Sequence, residues 1–158
     1  MSLASVRAFF AEKAPDIEVF ELPMDTATVA LAAQAHGVEP GRIAKTLSLR
    51  VGGQAMLVVA RGDSRLDNRK LKARFGGKAK MLDAATVLAL TGHPVGGVCP
   101  FGLATPLPVY CDIGLQAFDE VLPAAGGVHT AVRIAPLRLT ELVGAHWVDV
   151  CESADALG

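Results

Sequence analysis

The spacing of apolar positions changes repeatedly along the chain, and each change marks an element. Residues 3–13 carry apolar side chains at helical spacing, with Ser2 in the capping position. The run IEVFEL predicts a strand over 17–22. Asp25 stands where a helix over 26–36 would be capped, and Gly37 where it would stop. Two apolar runs, 43–51 and 54–60, flank Gly52-Gly53, and a two-residue glycine loop between such runs signals a β-hairpin. Ser64 and Asp67 form a capping-box pattern ahead of a helix over 65–75, ended by Gly76-Gly77. A short strand is expected at 78–82, and Asp83 would cap a further helix over 84–90 that Gly92 ends.

The stretch 92–108 breaks this rhythm. It holds four Gly and four Pro in 17 residues, which predicts a structured loop between a helix and a strand. Strands are then expected at 107–113 and, after Gly126-Gly127, at 128–134. Pro136 opens a helix that runs to about 143 with Gly144 as stop, and 146–150 makes a last short strand. The elements do not alternate as regular βαβ units. The expected fold is therefore α+β, with a mixed, largely antiparallel sheet and helices around it. The length, 158 residues, suits one domain over 1–158, large enough to bury a core without staples.

Composition narrows the class. No stretch of 18 apolar residues could span a bilayer, and the N-terminus lacks the h-region of a signal peptide, so a cytoplasmic protein is expected, with no membrane partner. The three cysteines, Cys99, Cys111 and Cys151, are odd in number and widely spaced, which argues against a disulfide framework. Neither they nor the four scattered histidines have metal-ligand spacing, so no metal or other cofactor is expected. The net charge is −1, but its distribution is uneven. Residues 61–80 hold eight Lys/Arg against two Asp, a segment of +6 on a remainder of −7. Such a face could track phosphates, or it could be an ordinary solvated surface.

Four places invite chemistry. Strand alternation puts Lys45 on the same face as Ile43, Leu47, Leu49 and Val51. A charge there either holds an anion at a pocket wall or snorkels from the strand end to water. The loop 96–102 has paired glycines whose backbone N–H groups could form an anion nest, or it is simply a turn-rich connection. Cys99 with His93 suggests a thiol nucleophile, but a buried Cys more often acts as a small hydrophobe. His129, which opens a strand with Thr130, could transfer a proton or sit at the surface. Asp112 is read as structural, as are the methionines and Trp147.

Taken together, Ile43-Ala44-Lys45-Thr46-Leu47, Arg61-Gly62-Asp63-Ser64-Arg65-Leu66-Asp67 and Gly96-Gly97-Val98-Cys99-Pro100-Phe101-Gly102 resemble the YbaK/EbsC family in identity and order. That family is related to the editing domain inserted in bacterial prolyl-tRNA synthetases. The resemblance runs from the first helix to about Trp147. It implies a partly barrel-like sheet with surrounding helices, and hydrolysis of the ester between a wrong amino acid and the 3′ end of a tRNA. It implies catalytic roles for Lys45, Gly96, Gly97 and His129. The implied substrate-binding set is Phe20, Thr46, Val98, Cys99, Pro100, Phe101, Gly102 and Thr130. The basic segment is a candidate for acceptor-stem contacts, through Arg65, Arg69, Lys70, Lys72 and Arg74. The implied partners are the tRNA for proline carrying alanine, cysteine or a similar small residue, and prolyl-tRNA synthetase itself. Cys99 stands where many relatives carry Ser, and Phe20 where some carry Tyr, so the amino acid removed is left open. Two other functions remain: a Cys-dependent hydrolase of a small metabolite, and a non-catalytic tRNA- or synthetase-binding module.

Overall fold

The computed structural model describes residues 2–152, so Met1 and residues 153–158 of the single-domain span lie outside the described residues. The elements in chain order are α1 (Ser2–Lys13), β1 (Phe20–Glu21), α2 (Val29–His36), β2 (Ile43–Val51), β3 (Gln54–Arg61), α3 (Asn68–Phe75), β4 (Ala79–Met81), α4 (Ala84–Thr91), β5 (Val109–Asp112), β6 (Leu122–Pro123), β7 (Thr130–Ala131), α5 (Pro136–Val143) and β8 (His146–Val148). The fold is α+β, as expected. Its main sheet is mixed and runs β4-β2-β3-β5-β8, with β6 also on β2, and β1 and β7 make a separate antiparallel pair. The long β2–β3 hairpin is antiparallel, while β5 on β3 and β8 on β5 are parallel. Among the described residues the sheet does not close into a barrel.

The hairpin follows from its turn. Gly52 and Gly53 both have positive φ (56° and 84°), which a two-residue loop of matching twist needs and which side-chain-bearing residues resist. β3 then lies at the centre of the sheet. Leu57 and Val59 on one face enter a core with Val6, Phe10, Phe101, Cys111 and Leu139. Met56 and Val58 on the other join Leu49, Val51, Leu71 and Val148 beneath α3. Burial on both faces explains why this strand reads as an unbroken apolar run.

Several boundaries differ from expectation, each for a local reason. α3 starts at Asn68, not 65, because Asp67 is its cap: its Oδ1 accepts from the N–H of Arg69 (2.9 Å) and Lys70 (3.1 Å). Ser64 instead donates to Arg61 O at 2.9 Å and closes the preceding turn. α2 starts at Val29, capped by Thr28, while Asp25 caps only a turn by accepting from Ala27 N–H at 2.7 Å. The strand expected at 17–22 shrinks to two residues, because only Phe20 and Glu21 find partners on β7. Residues 128–134 change partner along their length: β1 at Thr130 and Ala131, Ala124 at Ala131, and Val121 at Ile134. The parallel pairing of Leu122–Pro123 with β2 was not foreseen. α5 and its stop at Gly144 lie where Pro136 predicts.

Candidate functional site

A cavity of about 310 Å³ opens where β2 is left incomplete. On one side β2 pairs with β3 from Ala44 to Val51. On its other edge β6 covers only Ile43 and Ala44, and β4 covers only Leu49 to Val51. The residues between form one wall of the cavity: Lys45, Thr46, Leu47 and Ser48. Facing walls come from α2 (Val29, Ala32, His36), from Gly96 and Val98, and from Ala124, Thr130 and Ala131. Met81, Leu82 and Val87 extend it, and Met81 is 62% exposed. The lining is mostly small and apolar, with a few polar groups, as in ligand sites generally.

Lys45 is in this wall. Its ammonium donates to the backbone oxygens of Gly62 (3.3 Å) and Ser64. Two carbonyls hold the charge, and the third N–H has no partner among the described residues. Half-burial lowers its pKa, opposed by Cys151 and Asp63. Two buried polar atoms of the lining residues have no hydrogen-bond partner: Thr46 Oγ1 and His36 Nε2. Burial, with the positive charge of Arg133, also lowers the pKa of His36, so its ring is held neutral at pH 7.

The loop 96–102 divides into two parts. Gly96 and Val98 line the cavity. Gly96 has φ 93°, and a Cβ there would lie 2.8 Å from that of Ala27. Gly97 is pressed on the Gly126-Gly127 turn, where a Cβ would lie 2.7 Å from Gly127 N. The expectation that Gly97 supplies a free donor is corrected: its N–H is spent on Pro94 O at 2.9 Å, and its carbonyl accepts from Gly126 N–H at 2.9 Å. The N–H groups of Gly96 and Val98 have no partner among the described residues.

The other half of the loop faces inward, which corrects its assignment to the substrate. Cys99 and Phe101 are fully buried, Pro100 is buried, and Gly102 backs onto Ser5. Phe101 stacks with Phe9 and Phe10 of α1. Burial pushes the Cys99 thiol up to about 12, so at neutral pH it is not a thiolate, and the cysteine-nucleophile reading falls. Phe20 lines a different cavity, with Asp16, Arg133 and Arg138. Thr130 is in the cavity wall, but its hydroxyl is engaged by the 124–130 turn: it accepts from Gly127 N–H (2.9 Å) and donates to Gly127 O (3.0 Å). The structure does not bring His129 into the wall; its ring lies 3.9 Å from Glu21.

The basic segment is exposed at Arg65, Arg69, Lys72, Arg74, Lys78 and Lys80. Lys70 is the exception, since its ammonium is tied to Asp149 (2.9 Å) and to Cys151 O (2.9 Å). Arg74 lies over the Phe75 ring at 5.0 Å. Lys80 precedes Met81 on β4, and strand alternation turns its side chain to the face opposite that of Met81, which lines the cavity.

The sequence of residues 24–142 matches the model of the aminoacyl-tRNA editing domain family. The chain belongs to that family. It is 46% identical over 154 residues to the uncharacterized protein YwhH of Bacillus subtilis (strain 168), covering 96% of this chain and 98% of YwhH. It is 33% identical over 115 residues to the proline–tRNA ligase of Desulfovibrio desulfuricans, covering 72% of this chain but 20% of the ligase. A solved structure described as a candidate trans-editing enzyme for prolyl tRNA synthetase superposes with a TM-score of 0.89, at 36% identity over 96% of this chain and 98% of that one.

Sequence reasoning missed His36, Ser48 and the open edge of β2. A lone His near a helix end and a Ser in an apolar strand carry no spacing signal. The open edge depends on which strands pair with β2, and no local pattern encodes that.

Proposed function

We propose that this editing-domain protein hydrolyses the ester of a tRNA for proline charged with a small wrong amino acid. The observation that carries the reading is the small-residue cavity lined by Lys45, Gly96 and Val98, the last two with N–H groups that have no partner among the described residues. Those N–H groups stabilise the oxyanion as water, or a hydroxyl or thiol of the substrate itself, adds to the ester carbonyl. The bond to the ribose oxygen then breaks, releasing the amino acid or its cyclised product and the uncharged tRNA. An aminoacyl ester is already activated, so positioning and charge stabilisation suffice without a thiolate or a metal. Lys45 holds the 3′ end of the tRNA, and the basic face around α3 holds the acceptor stem. A synthetase pocket rejects a smaller amino acid by only about 1–3 kcal/mol per methylene, which is why a second, smaller site is useful.

The test is loss of ester from tRNA for proline charged separately with alanine, cysteine and proline. Fast loss of one mischarged form with the proline form spared supports the reading. Binding of all three without cleavage overturns it and leaves a non-catalytic tRNA-binding module.

A further inference from the structure

The incomplete edge of β2 carries more than a wall. In this strand the odd residues direct their backbone groups to β3, as the Val51↔Gln54 hairpin closure requires. The even residues face the other edge, where Ser48 O accepts from Leu82 N–H at 3.0 Å. Thr46 O and Ser48 N–H therefore lie side by side on the uncovered edge, and neither has a partner among the described residues. Ser48 is 5% exposed, and the hydroxyl of the neighbouring Thr46 is buried with no partner among the described residues. Buried backbone groups are nearly always paired, so an unpaired acceptor–donor couple in the wall of an apolar cavity points to a ligand that completes it.

The shape of the gap restricts that ligand. β6 closes it at Ala44, and Leu82 N–H, continuing β4, closes it at the Ser48 carbonyl. At about 3.3 Å per residue the opening is roughly 10 Å long, too short for an added strand to enter and continue. A single planar ring fits, provided it has a donor and an acceptor next to each other on one edge. Adenine does: its 6-amino group donates and its N1 accepts. Guanine and hypoxanthine present the reverse, an acceptor at position 6 and an N1–H donor.

We propose that the Thr46–Ser48 edge of β2 is a purine-reading element that binds the adenine of the tRNA's 3′-terminal adenosine, with the 6-amino group donating to Thr46 O and Ser48 N–H donating to N1. The proposal rests on the tRNA reading above for the identity of the natural ligand. It gives the cavity a second selectivity, for the nucleotide and not only for the amino acid. Ser48, at the strand position that supplies the donor, leaves room for the ring because its side chain is small.

Titration of the full chain with adenosine 5′-monophosphate and, separately, inosine 5′-monophosphate, followed by amide NMR, tests it. The expected result is shifts at Thr46, Leu47 and Ser48 with the adenine nucleotide, and binding at least about tenfold weaker with the hypoxanthine nucleotide, since one mismatched hydrogen-bond pair is worth about that much. Equal binding of the two, shifts confined to other residues, or no binding of either overturns the proposal. A tRNA ending in inosine separates the two readings. If it is deacylated as fast as the natural tRNA, the purine inference fails and the deacylase reading stands. If no ester is ever cleaved yet the adenine nucleotide still binds at Thr46–Ser48, the deacylase reading fails and the purine site stands.

Discussion

Ser2 Oγ lies 2.6 Å from His93 Nδ1, across 91 residues of chain. The same hydroxyl contacts Gly126 O, and the other ring nitrogen of His93 lies 2.7 Å from Phe101 O. One buried imidazole and the first turn of α1 thus tie together the two glycine turns that flank the cavity. Ser2 was expected to cap α1, but its side chain is spent on this cross-chain contact instead.

His93 is fully buried, so replacing it leaves Phe101 O without its partner, costs Ser2 one of its two contacts and opens a void. His93→Ala should destabilise the fold by about 2–4 kcal/mol, and Ser2→Ala by about 1 kcal/mol. Urea midpoints check both; a His93→Ala midpoint equal to wild type would contradict the tie.

The acid limb of stability should report the same residue. Burial lowers the His93 pKa, opposed by its bond to Phe101 O. The unfolded chain takes up the proton near 6.5, and the folded chain only at lower pH. The contribution is therefore fully present above about pH 6.5 and lost as pH falls through the folded value. His36, lowered by burial and Arg133, has the same sign. Melting temperatures should drop between pH 7.5 and 5.5, and the drop should be smaller in His93→Gln. An identical drop in that variant would assign the effect elsewhere.

Gly97→Ala should damage both loops at once, because its Cβ would meet backbone atoms of Gly126 and Gly127 under 3 Å away. A loss of about 1–3 kcal/mol is expected from such crowding, together with a large fall in deacylation. Denaturant midpoints and turnover measured on one preparation decide it. Unchanged values in both would mean that the loops yield freely.

Lys45→Ala should reduce kcat/KM for the mischarged tRNA by about a hundredfold or more, the scale on which a positioned donor or charge acts. Full activity would remove Lys45 from the site.

Salt dependence separates the basic residues. Replacing Arg69 and Lys72 together should reduce the slope of log K against log salt by about 2 if each meets a duplex phosphate. Lys70→Ala should change the slope little, because its charge already serves Asp149 and Cys151 O. Equal slopes for all variants would place the RNA on another face.

What the sequence revealed depended on how local the determinant was. The Gly52-Gly53 hairpin, the Asp83 cap and the Pro136 helix start are decided within a few residues, and each is where the pattern put it. Thr28 and Asp67 won caps from Asp25 and Ser64 because side-chain reach to a particular N–H, not residue type, settles the competition. The site was legible in part: Lys45, Thr46, Gly96 and Val98 do share one cavity. The direction in which residues 99–102 turn was not legible, because it is set by the aromatic packing of Phe101 on α1. Nor was the private use of the Gly97 N–H, which depends on Pro94 closing back on it.

The contact between Gly97 and the Gly126-Gly127 turn has a thermodynamic corollary. With no side chain between them and a backbone hydrogen bond across them, the two turns behave as one body whose shape is set when the chain folds. The entropy of ordering the cavity's glycine wall is thus settled before any substrate arrives. Binding then has little left to organise, so little of the ligand's interaction free energy goes into ordering the glycine wall.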